Sequence, residues 1–113
     1  MNGLKNSVRL IGHLGVNPET KELDGGKKVS RFTLATNEIY KNAKGEKVKD
    51  TVWHNLVLWG KTASIAEKYL EKGAEIAVEG KLTSRSYTNK DGEKKYVTEI
   101  VVGEILMLGN KKN

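Results

Sequence analysis

The sequence predicts an all-β domain, a small five-stranded Greek-key barrel with one α-helix between its third and fourth strands. Most segments alternate between apolar and polar residues with the period of two that a strand requires. Only residues 62–72 have the spacing of an amphipathic helix. A parallel α/β fold is excluded because helices do not alternate with strands, and an SH3-like barrel would lack this helix.

The N-terminal part of the chain is predicted to form a strand, a turn and a hairpin. Residues 7–14 alternate, so that one face of a first strand carries Val8, Leu10, Gly12 and Leu14. Gly15-Val16-Asn17-Pro18 ends this strand with residues typical of turns. A short polar segment, residues 19–23, then leads to Asp24-Gly25-Gly26, which predicts a hairpin.

The middle of the chain carries the most informative strand. A second strand over residues 28–39 and a polar, lysine-rich loop over residues 40–50 precede it. The third strand, residues 51–60, has one face with Val52, His54, Leu56 and Leu58 and another with Trp53, Asn55, Val57 and Trp59. A tryptophan face left outside the core is typical of a binding surface. A strand packed between two layers would bury both faces, and the strand alone leaves both interpretations open.

The C-terminal half completes the strand order. Ser64 and Glu67 have the spacing of a capping box for the helix, and Gly73 is placed to end it. The helix stripe consists of Ile65, Ala66, Tyr69 and Leu70, with Tyr69 assigned to the core. A fourth strand begins at Glu75, a hairpin tip spans 89–92, and a fifth strand covers 96–102, followed by an apolar piece at 105–108. Five strands with this helix have the order of an OB-fold.

Composition narrows the classes of protein. The chain has 113 residues, 37% of them hydrophobic, which suits one small domain. It contains no cysteine, no apolar run that could cross a bilayer and no apolar block of a secretory signal, so a cytoplasmic location is expected. The net charge of +6 points to a polyanionic partner, either nucleic acid or an anionic membrane surface.

Catalysis has little support in the sequence. The two histidines, His13 and His54, lie 41 positions apart, and His54 is expected in a hydrogen-bonded core or at a subunit interface. No glycine-rich phosphate loop is present, and the acidic residues show no spacing typical of a metal site or an acid/base pair. The sequence therefore predicts no enzyme, no cofactor and no metal.

Aromatic residues that alternate with cations favour binding of single-stranded nucleic acid. Four rings have polar or basic surroundings: Tyr40, Trp53, Trp59 and Tyr87. Lys41 and Lys49 lie in the predicted loop, while Lys81 and Arg85 share the face of Tyr87. Bases stack on such rings for about 1–3 kcal/mol each, and cations neutralise the phosphates.

Several motifs match one protein family in order and spacing. The run Asn6–Glu19 fits the pattern N-x-V-x-L-x-G-x-L-G-x-x-P-E. Further matches are Phe32-Thr33-Leu34-Ala35-Thr36, Trp53-His54, Gly60-Lys61, Tyr69-Leu70-Glu71-Lys72-Gly73 and Glu79-Gly80-Lys81-Leu82. Over residues 3–109 the chain thus resembles the bacterial single-stranded DNA-binding proteins of the SSB type.

This resemblance implies an OB barrel that assembles as a homotetramer, with a dimer as the alternative, and wraps single-stranded DNA. The family's stacking positions fall on the four rings named above, with Tyr at 40 and 87 where Trp is common and Trp at 59 where Phe is common. Its basic positions near the DNA fall on Lys61, Lys72 and Arg85. Residues 1–109 are expected to form the binding domain, followed by a basic end at 110–113.

The family usually continues into a glycine-rich linker and an acidic tip that recruits other proteins. Because the sequence ends at Lys111-Lys112-Asn113, we expect either a short form or a trimmed chain, without recruitment through such a tail. The predicted function is sequence-independent ssDNA binding that protects single strands in replication, recombination and repair. The alternatives are a primosome-type OB adaptor with weak ssDNA affinity, an RNA-binding OB domain and a nuclease on the same barrel.

Overall fold

A computed structural model describes residues 5–109, which form six strands, one α-helix and a short 3-10 helix at Asp24–Gly26. In chain order the elements are β1 (Val8–Leu14), β2 (Glu19–Glu22), β3 (Lys28–Lys41), β4 (Lys47–Trp59), α1 (Lys61–Tyr69), β5 (Glu75–Thr88) and β6 (Lys94–Gly109). The predicted basic end at 110–113 lies outside the described residues.

Five of the strands close into a barrel. Their order is β1-β5-β6-β4-β3, and β3 returns to β1 through the pairs His13↔Ala35 and Leu14↔Leu34. All barrel pairs are antiparallel except β4 with β6, where Leu56 lies opposite Ile100. Because α1 lies between β4 and β5, the third and fourth barrel strands, the predicted OB-fold is confirmed.

β2 is a strand that the sequence did not predict. Its four residues, Glu-Thr-Lys-Glu, show no apolar alternation, and we expected them to form a polar segment only. They pair along the edge of β3, from Glu19↔Arg31 to Glu22↔Lys28. The predicted hairpin at Asp24-Gly25-Gly26 joins the two strands, and Gly25 and Gly26 both adopt positive φ there.

The barrel core consists of the inward residues of the five strands together with α1. Its fully buried side chains include Leu34, Leu56, Leu58 and Ile76, joined by Phe32 as expected. Alternation does not hold everywhere, since Val29, Val57 and Ala35 are buried although they belong to the opposite parity. The outer parity of β3 and β4 is therefore covered in part, which the alternation pattern did not indicate.

Two hairpins extend beyond the barrel, and in both of them the structure differs from the prediction. The predicted loop at 40–50 is mostly strand, because β3 and β4 pair without interruption from Val29↔Trp59 to Lys41↔Lys47. Only residues 42–46 form a turn, in which the Asn42 side chain accepts hydrogen bonds from two backbone N–H groups. Both faces of this projecting hairpin are exposed, so its residues are polar without being a loop.

The β5–β6 hairpin is also longer than predicted. β6 runs to Gly109, so the apolar piece at 105–108 belongs to this strand and not to a separate segment. The register against β5 shifts by one residue between Glu79 and Gly80, and the shift allows both Val102 and Ile105 to contact the core. The predicted tip at 89–92 is confirmed, with Gly92 at positive φ.

The helix is shorter than predicted, and its caps differ. Gly60 begins it without a side-chain cap, and Glu67 forms an ion pair with Lys28 at 2.8 Å where a capping box was expected. Gly73 does adopt positive φ, but in the turn that follows the helix. Tyr69, which we assigned to the core, is exposed, because Ala63 and Ala66 form the buried stripe. Over residues 5–109 no helix has the length and apolar character to cross a bilayer.

Candidate nucleic-acid interface

One outer surface of the barrel collects half of the residues expected to bind nucleic acid. Opposite partners in neighbouring strands share a face, and Val57 pairs with Arg31 on β3 and with Val101 on β6. On β6, Val101 and Val97 lie opposite Lys81 and Arg85 of β5. With alternation along each strand, these registers define one outer face, which carries Arg31, Trp53, Trp59, Lys81, Arg85, Tyr87 and Glu99.

Both tryptophans are accessible on the outer face. Trp53 is 59% exposed and Trp59 is 42% exposed, while Leu56 and Leu58 between them are buried in the barrel. The β4 strand is therefore not enclosed on both sides at the tryptophan positions. Val52, assigned to the core, is exposed because β4 has not yet entered the barrel at this point.

Gly15 leaves room for the Trp53 ring. A Cβ atom at position 15 would overlap the ring atom Cζ3 of Trp53 and would lie 2.8 Å from the hydroxyl of Thr33. The indole ring therefore lies directly over the turn that follows β1. Val16 and Thr33 beside it line a groove of about 660 Å³ on the outer face.

Arg85 lines the β5 side of the same groove, and Tyr87 lies two residues further along β5. The guanidinium carbon of Arg85 is 6.0 Å from the centroid of the Tyr87 ring, within the range of a cation–π contact. Arg85 also lines the groove, where it donates two hydrogen bonds to the buried carboxylate of Glu99. These hydrogen bonds, and secondarily the charge of Glu99, raise the pKa of Arg85, so the guanidinium is cationic throughout the physiological range.

Tyr40 is separated from the other three rings. It lies opposite Val48 and shares the parity of Val52 and His54, which is the core parity of β3 and β4. Its ring is exposed because the hairpin extends past the barrel there. Tyr40 therefore lies on the side of the hairpin opposite to Trp53.

The predicted cations divide into three groups. Lys41 and Lys49 share the parity of Trp53 on the projecting hairpin, and Lys81 lies on β5 with Arg85. Lys61 begins α1 two residues after Trp59, and the backbone N–H of Lys72 donates to the Asn17 side chain at 2.7 Å. All five lysines are exposed, and within residues 5–109 none is paired with a carboxylate.

Sequence reasoning missed two members of this surface. Arg31 lines the groove beside Glu99. Its position on the outward parity of β3, together with Thr33, was the sequence feature that could have identified it. Glu99 is buried, although a glutamate in an amphipathic strand is expected to be exposed to solvent. No sequence pattern indicates that two arginines from other strands, Arg31 and Arg85, would approach it.

The histidine and acidic side chains of the described residues do not gather into a metal-binding cluster. No three side chains among His, Asp and Glu in residues 5–109 come together as a metal site would require. His54 is half-buried, and its Nε2 is hydrogen-bonded to the Thr36 hydroxyl at 3.0 Å, in agreement with the hydrogen-bonded role expected for it.

A closed five-stranded barrel with exposed rings and cations on one outer face defines an OB-fold domain of the kind that binds single-stranded nucleic acids. Residues 5–108 match the model of the single-strand binding protein family, and the chain belongs to that family.

Relatives and solved structures support this assignment. The chain is 50% identical over 107 residues to the single-stranded DNA-binding protein 1 of Chlorobaculum tepidum and 42% identical over 106 residues to the single-stranded DNA-binding protein of Xanthomonas campestris. These alignments cover 94% of this chain but only 66% and 62% of the two relatives. The structure of the Plasmodium falciparum SSB complex with ssDNA is similar, with a TM-score of 0.84, 34% identity and coverage of 91% of this chain and 94% of that one.

Proposed function

We propose that this chain binds single-stranded DNA without sequence preference and covers it during replication, recombination and repair, with no catalytic activity of its own. In this proposal residues 1–109 form the binding domain, and Lys111 and Lys112 add positive charge at its end. A cytoplasmic location is part of the proposal, because the DNA to be covered lies there in bacteria, the source of both sequence relatives.

The observation that carries the proposal is the outer face. Trp53, Trp59 and Tyr87 offer exposed rings for base stacking, and Arg85 and Lys81 lie on the same face for contact with phosphates. Every base has a flat π-face, so stacking of this kind does not depend on sequence. Lys41, Lys49, Lys61 and Lys72 extend the positive charge beyond this face, so that a bound strand has cations along its path.

Tyr40 extends the proposed DNA path beyond the outer face. Because its ring lies on the opposite side of the β3–β4 hairpin from Trp53, a strand that reaches both rings passes around this hairpin. Lys41 and Lys49 lie on the way. The tyrosines at 40 and 87 provide smaller stacking surfaces than tryptophans would, so we assign most of the stacking energy to Trp53 and Trp59.

Tryptophan fluorescence tests the proposal directly. Both tryptophans of the chain are exposed on the outer face. Titration with poly(dT) should therefore quench the emission strongly and saturably, and high salt should reverse the binding because phosphate contacts release counterions. Duplex DNA should quench less at equal phosphate concentration.

The same titration separates the proposal from its alternatives. An unchanged emission with poly(dT) would contradict stacking and would favour a protein adaptor. Tighter binding of poly(rU) than of poly(dT) would indicate an RNA-binding domain, and shortening of the DNA in magnesium would indicate a nuclease.

A homotetramer is the second part of the proposal. The sheet formed by β1, β5 and β6 has an exposed apolar row on its outside, in which Ile11, Ala77 and Leu106 lie opposite one another. Ile11 is 61% exposed and Leu106 is 62% exposed, and they line a surface groove of about 760 Å³. Exposed apolar surface of this kind is typical of contacts between subunits.

Substitution of this row should dissociate the assembly. Ile11→Glu combined with Leu106→Lys places charges where the proposed contact excludes water, so we expect the solution mass to fall toward that of the 12.5 kDa chain. Light scattering coupled to gel filtration measures this mass. Ile39→Glu, at an exposed position on the projecting hairpin, is the control and should leave the mass unchanged. An unaltered mass in the double variant would place the subunit contact elsewhere.

A further inference from the structure

Glu99 is unusual among the charged residues of the outer face because it is buried. Its side chain is only 9% exposed, whereas the Arg85 and Arg31 side chains that approach it are 49% and 45% exposed. On β6 it lies two residues from Val97 and two from Val101, and both of these are half-buried. A carboxylate thus occupies a position on the barrel surface that an apolar residue could fill.

Stability alone does not account for this carboxylate. Removing a charge from water is costly, and replacing a buried ion pair by apolar residues is often neutral or stabilising. A buried ion pair does fix the position of its partners, provided that its hydrogen bonds are well aligned. Here they are, with Arg85 Nε 3.0 Å from Oε1 and Arg85 Nη2 3.1 Å from Oε2 of Glu99.

This geometry leaves one edge of the Arg85 guanidinium unoccupied by Glu99. Of the five N–H donors of an arginine, Glu99 takes the Nε donor and one on Nη2. One donor on Nη1 and the second on Nη2 form the adjacent edge, which suits bidentate contact with a phosphate. Arg85 lines the groove on the outer face, and its guanidinium lies over the Tyr87 ring.

Arg31 reaches the same carboxylate from the other wall of the groove. Its Nε lies 3.8 Å from Glu99 Oε2, the oxygen that also accepts from Arg85 Nη2. Without the carboxylate the two guanidiniums would repel each other. One buried anion therefore keeps two cations together beneath the path proposed for the DNA.

We infer that Glu99 is a positioning residue for ssDNA binding: it holds the Arg85 guanidinium so that its free edge meets a phosphate of the strand whose bases stack on Trp53 and Tyr87. This inference rests on the proposed ssDNA binding. The effect expected from Glu99 is opposite to that of simple charge repulsion, because a negative charge near the DNA strengthens the binding.

The variant Glu99→Gln tests whether the negative charge strengthens or weakens the binding. General electrostatics predicts tighter binding, because the net charge of the protein rises by one. The positioning role predicts an affinity for labelled oligo(dT) about tenfold weaker, because a charged hydrogen bond to phosphate is lost. Asp24→Asn makes the same change of charge at an exposed position in the hairpin between β2 and β3, and should leave the affinity unchanged or slightly higher. If Glu99→Gln binds oligo(dT) as tightly as the wild type or more tightly, the inference is wrong. Normal binding of oligo(dT) by the wild-type protein in the same experiment would leave the proposed function intact.

A double-mutant cycle separates positioning from a structural role. In the Arg85→Gln background there is no guanidinium for Glu99 to hold, so adding Glu99→Gln should change the affinity little. If Glu99 only supported the fold, its replacement would cost the same affinity in both backgrounds, and the inference would be wrong.

A measurement on the wild-type protein avoids any folding defect of the variants. The Nε–H resonance of Arg85, identified by its loss in Arg85→Lys, reports the hydrogen bond to Glu99. On saturation with oligo(dT) it should keep its slow exchange with solvent, because the phosphate uses the other edge. Release of this proton to fast exchange would show that phosphate displaces the carboxylate, which would make Glu99 a competitor of the DNA.

Discussion

Trp53→Ala should weaken the binding of ssDNA by about 1–3 kcal/mol, which corresponds to roughly 5- to 150-fold in affinity, and should leave the fold intact. The expected loss is that of one base–aromatic stack. Because the indole is 59% exposed, its removal opens no cavity in the core. Anisotropy of labelled oligo(dT) at fixed salt measures the affinity, and circular dichroism monitors the fold.

Two comparisons make this result specific to stacking. Tyr69→Ala removes an exposed ring from α1, away from the outer face, and should not change the affinity. Trp53→Phe keeps a flat ring and should retain most of the binding. If Trp53→Ala unfolds, yet its remaining folded fraction binds as tightly as the wild type, the ring belongs to the core and the outer face is wrongly assigned.

Gly12→Ala should destabilise the barrel by at least about 1–3 kcal/mol, the usual cost of inserting a methyl group into a packed core. The β3 backbone passes so close to Gly12 that an added Cβ would overlap the carbonyl oxygen of Ala35 and lie 3.2 Å from Cγ of Leu34. These atoms belong to the closing contact between β1 and β3, which consists of two residue pairs. A backbone carbonyl cannot turn aside as an exposed side chain can, so the contact itself must open.

Thermal unfolding at fixed protein concentration measures this loss. Gly103→Ala is the matched control, because the nearest atom to its added methyl would be the carbonyl oxygen of Glu79, at an ordinary 3.6 Å. That substitution should be neutral or slightly stabilising, since alanine restricts the unfolded chain. A Gly12→Ala protein as stable as the control would show that β3 does not approach β1 as closely as described.

The two substitutions also differ in what could be foreseen. A period of two predicts that Trp53 lies on the face opposite to Leu56 and Leu58, but it does not predict exposure, because Val57 on the face of Trp53 is buried. The need for glycine at position 12 arises from β3, whose contact at Ala35 lies 23 positions further along the chain. No local pattern contains this information.

The ends of the hairpins show where alternation reaches its limit. Val52 and Tyr40 have the parity of the core, yet both are exposed, because β3 and β4 continue past the barrel. Alternation assigns a residue to a face but does not tell how far the core beneath that face extends. Polar residues at 40–50 similarly indicate exposure, which a loop and a projecting hairpin share.

The order of the five barrel strands, the position of the helix and the shared face of the two tryptophans could be predicted from the sequence, because these depend on periodicity and turn residues that act over a few positions. Which cations and rings meet depends instead on strand registers that no local pattern contains. The registers of β3, β4, β5 and β6 bring Arg31, Arg85 and Glu99 together, although Arg31 is 68 positions from Glu99 in the chain. A buried glutamate between two arginines is stable only where both partners reach it, and Arg31 reaches Glu99 because β4 pairs with β6, two strands that α1 and β5 separate in the chain.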